Sequence, residues 1–454
     1  MKKRKFVLAV LTAGALSVSA QSVVPLQELY AQADRQSRKI NITRLSLDAA
    51  DEAVGAAKTA MLPTLGVSLN GSYIGDATLM KRNFSTSGTS DVVLAGIGPQ
   101  RVANGRQPTP HWGNAFVVQA SQVIYAGGAV TAGIRQAELG WQMASLDVEK
   151  NRQEVRFLLT GYYLDLSKLY NRLTVVERNI DLTRQLIQHM EARHRMGTVL
   201  QSDITRYELQ MENLRLMQVK LQESVAVINH QIATTLQWAD DTTILPDTTA
   251  LLQECASVQA MASLEQWQQT AQAGNLAIRQ SSVASELADQ HLRSVRSASR
   301  PSVSLIAENR LFGPYTSDLI PVDANVNAWF VGIGISYDIS SLWHNRRKVH
   351  QARYQSLQSR EQQAFVHETV ENQVHACYTH LLTAATEVDC QTKQQELARQ
   401  HYAVVHSRYD NDLALLTDML DASNTLLAAD MALVEARIDM LYYYYQLRYL
   451  CSTL

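Results

Sequence analysis

The chain has 454 residues, 41 basic against 43 acidic, and a mean hydropathy of −0.15. Without the four basic residues of the extreme N-terminus the acids lead by about six, a balance that argues against a nucleic-acid partner. No stretch approaches the roughly 18 uninterrupted apolar residues of a spanning helix.

Lys2, Lys3, Arg4 and Lys5 precede a short apolar run from Phe6 to Leu16, and Val18-Ser19-Ala20 places small residues before Gln21. This pattern predicts a cleaved leader over 1–20 and therefore export. The first Cys is Cys255, so no lipid-anchored N-terminus is expected. An exported chain without a second spanning helix can be periplasmic, secreted or an outer-membrane β-barrel, whose alternating strands barely register in hydropathy.

The rest of the chain reads as one plan written twice, across 26–238 and again across 262–450. Each copy opens with an amphipathic helix stopped by proline, at Leu62-Pro63 and at Arg300-Pro301. Alternating strands follow, Thr64 to Leu69 and Ser302 to Ile306, then polar loops (about 84–111 and 313–325) suited to an extracellular position. A second strand closes each pair, Phe116 to Ile124 and Trp329 to Tyr337, and Gly127-Gly128 marks the first strand-to-helix exit. Tyr73, Trp112, Trp329 and Tyr337 lie where an interfacial aromatic girdle would.

Two strands per copy make four per chain, too few to close a barrel, and lipid does not tolerate an open sheet edge. Several chains must share one barrel; the residues alone leave two or three open.

Long helices make up the remainder. From Ala129 to about His194 there is no proline, enough for about 100 Å of straight helix. Ile204, Tyr207, Met211, Leu214, Leu221, Val225, Ile228 and Ile232 form a coiled-coil seam in steps of three and four. Leu413, Leu416, Leu420, Leu427, Met431, Val434, Ile438 and Leu441 repeat it. Between the copies, Asp240 to Asp247 reads as a loop. The expected division is leader 1–20, first repeat 21–238, linker 239–261 and second repeat 262–454.

The helix-to-helix turns carry the most information. The first runs Arg193-His194-Arg195-Met196-Gly197-Thr198-Val199-Leu200-Gln201-Ser202-Asp203; the second runs from Arg408-Tyr409-Asp410-Asn411-Asp412-Leu413 to Asp418-Met419-Leu420-Asp421. Together with the duplicated order of elements, this pair resembles the helical-tip motifs of the TolC-type outer-membrane efflux family, over essentially the whole mature chain. The resemblance implies an α+β, predominantly helical chain with an internal repeat. It implies a homotrimer whose twelve-stranded transmembrane β-barrel, four strands per chain, continues into an antiparallel coiled-coil tunnel. The implied function is a passive exit duct of a drug-efflux pump or type I secretion system. The implied partners are a periplasmic adaptor, an energised inner-membrane transporter and outer-membrane lipid.

Residue by residue, Asp418 and Asp421 match the family's entrance aspartates, which would form stacked carboxylate rings selecting cations. The plainer reading is that first-turn acids complement the helix dipole. Asp203 and Tyr409 match positions that hold the entrance closed. The arginine some members use there falls at Ala414, and the usual turn glycine at Asp412, so the network is expected to be rewired through Arg195 or Arg408. Met196, Gly197, Thr198, Asn411, Asp412 and Leu413 match the adaptor contact, and plain hairpin turns would need the same residues.

Other features point elsewhere or nowhere. His344, His350, His367, His375 and His380 show no HExxH or CxxC spacing, so no metal site is expected, and without a phosphate-cradling loop no cofactor is either. Tyr442 to Tyr445 cover every face of a helix and suit packing. Cys377 and Cys390 lie about 20 Å apart on one helix, beyond disulfide reach, while a Cys255–Cys451 pairing stays open. A periplasmic coiled-coil adaptor would leave the four strands unexplained, and an exported hydrolase would need a nucleophile or metal motif that the chain lacks.

Overall fold

The computed structural model describes residues 22–75, 77–78, 106–107, 111–238, 243–258, 263–316, 321–322, 324–411 and 413–454. The leader lies outside them. In chain order the elements are β1 (Ser22–Val24), α1 (Leu26–Gln36), α2 (Arg38–Thr59), β2 (Thr64–Tyr73), the bridge β3 (Ala77–Thr78) with β4 (Arg106–Gln107), β5 (Trp112–Ala126), α3 (Ala129–Arg195) and α4 (Gln201–Leu236). Then come β6 (Ile244–Pro246), α5 (Thr248–Val258), α6 (Leu264–Gly274), α7 (Leu276–Ser297), β7 (Ser302–Gly313) and the bridge β8 (Tyr315–Thr316) with β9 (Pro321–Val322). The chain ends with β10 (Val326–Ser336), α8 (Ser341–His344), α9 (Arg346–Asp410) and α10 (Leu416–Leu450). Corresponding helices match in length: α2 and α7 have 22 residues each, α3 and α9 have 67 and 65, α4 and α10 have 36 and 35. None of the described helices is long and apolar enough to cross a membrane.

The helical segments before Pro63 and before Pro301 are each broken, where the sequence predicts one helix. Ser37 and Asn275 adopt the same extended conformation (ψ 125° at both) between α1 and α2 and between α6 and α7. Neither is a proline. The break at Asn275 is held by tertiary partners: its Nδ2 donates to the Leu450 carbonyl at 2.7 Å, while its Oδ1 accepts from the Ala277 and Ile278 amides. The far helix ends also match. Gln237 and Ser452 both take left-handed φ of 56°, and the next amides, Trp238 and Thr453, donate back to Ala233 and Arg448. This closure satisfies carbonyls that a helix end otherwise strands.

Two compact units divide the chain. One, formed by the N-terminal segment to Ala49, Gln142–Ala284 and Ser359–Leu454, is helical. Its core gathers Leu29, Ile40, Leu159, Leu164, Leu166, Ile232, Leu236, Leu381, Met440 and Leu441, each worth about 1.5–3 kcal/mol of burial. Tyr445 and Leu447 are buried in it and Tyr443 and Tyr444 pack against it, whereas Tyr442, the first of the expected packing run, is exposed with its ring 5.7 Å from that of Phe157. The predicted loop Asp240–Asp247 is partly strand: β6 pairs in parallel with β1, Val23 opposite Leu245. The Tyr163 hydroxyl ties the two together, donating to the Val24 carbonyl at 3.0 Å and accepting from the Asp247 amide at 2.7 Å. Cys255, Cys377, Cys390 and Cys451 are all free thiols, so Cys255 and Cys451 do not pair here.

The other unit, Ala50–Trp141 with Ser285–Gln358, carries a four-stranded antiparallel sheet in the order β10-β7-β5-β2. Its strands run 10, 15, 12 and 11 residues in chain order, mostly longer than predicted. Pairing sorts the two faces. One row reads Leu69-Phe116-Leu311-Asn327, the next Val67-Val118-Asn309-Trp329, the next Leu65-Ala120-Ala307-Val331, then Gln122-Leu305-Ile333 and Tyr125-Val303-Ile335. This face is mostly apolar, with Gln122, Asn309 and Asn327 among its residues, yet open: Leu65 and Ile335 expose 77% and 73% of their surface. The opposite face carries Thr64, Ser68, Asn70, Gln119, Ser121, Ser304, Glu308 and Arg310, interleaved with Val117, Val123, Ile306, Phe312 and Phe330, and is the more polar of the two.

A bulge between Val123 and Tyr125 shifts the register so that Tyr125, not Ile124, joins the row of Val303. It puts an aromatic on the apolar face at the end nearest the helices. At the other end Tyr73 meets Trp112 edge-on at 5.5 Å. Trp329, near the start of its strand, shares the row of Val67. The outer edges of β2 and β10 have no strand partner among the described residues.

Candidate functional site

The two helical turns lie in the helical unit and are built alike. In the first, the Thr198 amide donates to the Arg193 carbonyl at 3.1 Å around Gly197, whose φ of +79° only glycine adopts without strain. In the second, the Leu413 amide donates to the Arg408 carbonyl at 2.8 Å. Asp412, at the place of Gly197, lies outside the described residues. The first turn is tightened by the Thr198 hydroxyl on the Arg193 carbonyl and by His194 against the Val199 carbonyl at 2.7 Å. Asn411 Nδ2 donates to the Ser407 carbonyl at 2.7 Å in the second.

Both helices that leave the turns begin in the same way. The amides of Asp203 and Asp418 donate to the carbonyls of Leu200 and Leu415, each at 3.1 Å. The Asp418 carboxylate accepts the Leu415 amide at 3.1 Å. Leu415 has no polar side chain to reciprocate, so this is a one-sided cap; it binds one of the donors that a helix start leaves open. Asp421 is exposed one turn further on. The cap accounts for Asp418 and leaves Asp421 unexplained as a structural residue.

Two apolar clusters beneath the turns share Leu186 and Leu416 and so join the hairpins. One groups Met190, Ile204 and Tyr207; the other groups Val405, Tyr409, Met419 and Ala422. Ala414, where a family arginine is expected, packs against the second cluster. The arginine set against Tyr409 is neither Arg195 nor Arg408, both exposed, but Arg193, whose guanidinium carbon lies 5.9 Å from the ring centre. That geometry follows from helical phase: Arg193 is half-buried where Arg195, two residues on, is exposed.

Sequence reasoning placed Tyr207 in the seam and missed its chemistry. Only 2% exposed, its hydroxyl finds no hydrogen-bond partner among the described residues. Burial, and then the facing Tyr409 and Tyr402, push its ionisation well above the ordinary tyrosine range. Around the turns, Met196, Leu200, Leu413 and Leu415 are exposed; Leu413, read as a seam residue, is 75% open in the turn. No group of three His, Cys, Asp or Glu among the described residues could hold a metal, and His380 stacks on Tyr443 at 5.3 Å.

Residues 29–236 and 267–451 match the family model of the outer membrane efflux proteins, and the chain belongs to that family. Over 219 residues it is 22% identical to the outer membrane protein TolC of Escherichia coli (strain K12); the match covers 46% of this chain and 41% of that protein. The fold is similar to that of the outer membrane protein VceC of Vibrio cholerae, with a TM-score of 0.71 and 15% identity over 94% of this chain and 96% of the other. It is similar also to the CmeC outer membrane channel of Campylobacter jejuni, with a TM-score of 0.69 and 14% identity over 94% and 85%. At these identities the structural likeness is one of fold.

Proposed function

We propose that three copies of this chain form an outer-membrane exit duct through which cargo leaves the periplasm passively. The observation that carries this reading is the sheet: one exposed, mostly apolar face, one more polar face, and two unpartnered edges. Because β2 and β10 run in opposite directions, the β2 edge of one copy can pair antiparallel with the β10 edge of the next. Such head-to-tail contacts close into a ring, removing edges that lipid would leave unsatisfied. Three copies give twelve strands, apolar outward and polar toward a lumen. The helix lengths, about 100 Å for 67 residues, suit a tunnel across the periplasm.

In this reading residues 1–20 are a removed leader, and 21–238 and 262–454 are duplicated halves joined by 239–261. The match of one family model at two stretches and the paired helix lengths support the duplication. Asp418 and Asp421 ring the periplasmic entrance, with Asp203 and Tyr409 among the groups that hold it shut. Met196, Gly197, Thr198, Asn411, Asp412 and Leu413 meet a periplasmic adaptor, which couples the duct to an energised inner-membrane transporter. The exposed Met196 and Leu413 support that contact.

The test is single-channel conductance in a planar bilayer, with outer-membrane fractionation of the same protein. The wild type is expected to form cation-selective pores, and Asp418→Asn/Asp421→Asn to lose most of that selectivity while still inserting. Unchanged selectivity would reduce Asp418 to the cap described above. No pore from an inserted trimer would sink the duct.

A further inference from the structure

At the helix-facing end of the sheet lies a cleft of about 760 Å³, bounded by the β5–α3 turn and the C-terminal turns of α7. Gly127, at φ +64°, packs so closely that a Cβ there would come within 2.5 Å of the Ser297 carbonyl. That approach lets Arg300 Nη1 donate to the Gly127 carbonyl at 3.1 Å. Four arginines, Arg135, Arg293, Arg296 and Arg300, and two acids, Glu286 and Asp289, line the space. Both acids are engaged. Glu286 accepts Arg135 Nη2 at 2.7 Å, and Asp289 accepts the Ser356 hydroxyl. Arg293 and Arg296 are exposed and form no ion pair among the described residues. The start of α3, at Gly128 and Thr131, adds the positive end of a long helix to the opposite wall.

A second, independent feature shares this scaffold. Between β10 and α9 the chain exposes Tyr337, Ile339, Leu342 and Trp343. Asn345 fastens that segment to the end of α7, its Nδ2 donating to the Val295 carbonyl at 2.8 Å and the Ser299 hydroxyl at 3.0 Å. An apolar foot ending in tryptophan is what a membrane–water interface selects. Arginines beside it, with planar forks suited to phosphate oxygens, are what the headgroup layer selects.

We infer that the Arg293–Arg296–Arg300 cleft binds the phosphate of a phospholipid headgroup, with the Ile339–Trp343 foot seated at the acyl boundary beneath it. The inference rests on the outer-membrane reading, which sets this end of the strands at the periplasmic leaflet. The cleft fixes depth: it begins where β5 ends and β7 begins, so arginines sit at the level at which the apolar face stops. Arg300 is committed partly to the backbone, leaving Arg293 and Arg296 as the phosphate ligands.

The test uses the full-length protein, purified and stripped of lipid in detergent, titrated by native mass spectrometry. The probes are dioleoylphosphatidylglycerol, dioleoylglycerol with the same chains and no phosphate, and inorganic phosphate. Phosphatidylglycerol is expected to bind saturably, one per chain, and dioleoylglycerol not to. Arg293→Gln/Arg296→Gln should weaken the phospholipid about thirtyfold, since each arginine near an anionic lipid surface contributes about fivefold. Trp343→Ser, which leaves the arginines intact, should weaken lipid but not inorganic phosphate. Competition by inorganic phosphate at equal concentration would keep the phosphate site and assign it to a soluble anion. Equal binding by wild type and the double arginine variant, or equal binding of dioleoylglycerol, overturns the inference. Bilayer recordings on the same preparation separate the two failures: pores without phosphate-specific lipid sink only the cleft, whereas absence from the outer membrane sinks the reading beneath it.

Discussion

Two adjacent residues of β2 test the sidedness of the sheet. Val67 lies in the apolar row with Val118, Asn309 and Trp329; Ser68 lies in the opposite row with Val117, Arg310 and Ala328. At about 3.4 Å per residue, Val67 sits about 10 Å along its strand from Thr64, about 8 Å in depth once strands tilt by about 40°. In an apolar band about 25 Å tall that is about 5 Å from the centre. A lysine on the lipid face costs about 2–4 kcal/mol at mid-depth, so Val67→Lys is expected near the lower figure, about 2 kcal/mol per chain. That is about thirtyfold in the folding equilibrium for each copy. In the proposed barrel Ser68→Lys faces the lumen and should leave stability within about 0.5 kcal/mol, as exposed polar substitutions do. It adds a cation two strands from Arg310 on the same face and should shift the pore toward anions. The assay is a urea titration of folding into dimyristoylphosphatidylcholine vesicles, followed by gel mobility, with bilayer recordings of whatever inserts. Equal losses in the two variants, or a larger loss for Ser68→Lys, would refute the assignment of faces.

Asn275→Asp keeps the acceptor for the Ala277 and Ile278 amides but turns the donor facing the Leu450 carbonyl into an acceptor. It should destabilise by about 1–3 kcal/mol, the penalty of an unmade buried hydrogen bond, and a midpoint in denaturant equal to wild type would contradict that. Tyr207→Phe removes a buried hydroxyl without a partner among the described residues, so unfolding in isolation should be neutral or harder by up to about 1 kcal/mol. A leakier entrance in conductance, with stability unchanged, would mean that a neighbouring copy supplies the partner. Burial pushes the Cys377 thiol up to about 12, reinforced by nearby Cys451, and the Cys451 thiol up to about 11, from an ordinary 9.0. Raised folded values make their stability contribution complete below pH 9 and progressively lost as pH climbs through 11 to 12. In maleimide labelling at pH 7.5, exposed Cys390 should react alone until denaturant is added; early labelling of Cys377 would contradict its burial.

The helices and strands were legible because each rests on local periodicity. The seam of Ile204, Tyr207, Met211 and Leu214 is buried as the three–four spacing requires, and Pro63 and Pro301 stand immediately before β2 and β7. The turn motifs were legible too, since Gly197 marks a left-handed position by its chemistry alone. Other features depended on partners far away in the chain. Ile244–Pro246 is a strand only because Ser22–Val24 lies beside it, more than two hundred residues earlier. Helices break at Ser37 and Asn275 without proline, and at Asn275 the bond that favours the break comes from Leu450.

By itself, then, the sequence determined most of the helices, the four strands of the large sheet, and where the two turns fall. All of these follow from spacings of a few residues. Only the tertiary structure decided the strand order β10-β7-β5-β2, the bulge that puts Tyr125 on the apolar face, and the pairing of Arg193 with Tyr409. It alone brought Arg293 and Arg296 together with Arg135 from another helix into one cleft. The physical reason is common to these cases: register, packing and charge clusters are set by contacts between distant segments, and no local propensity encodes them.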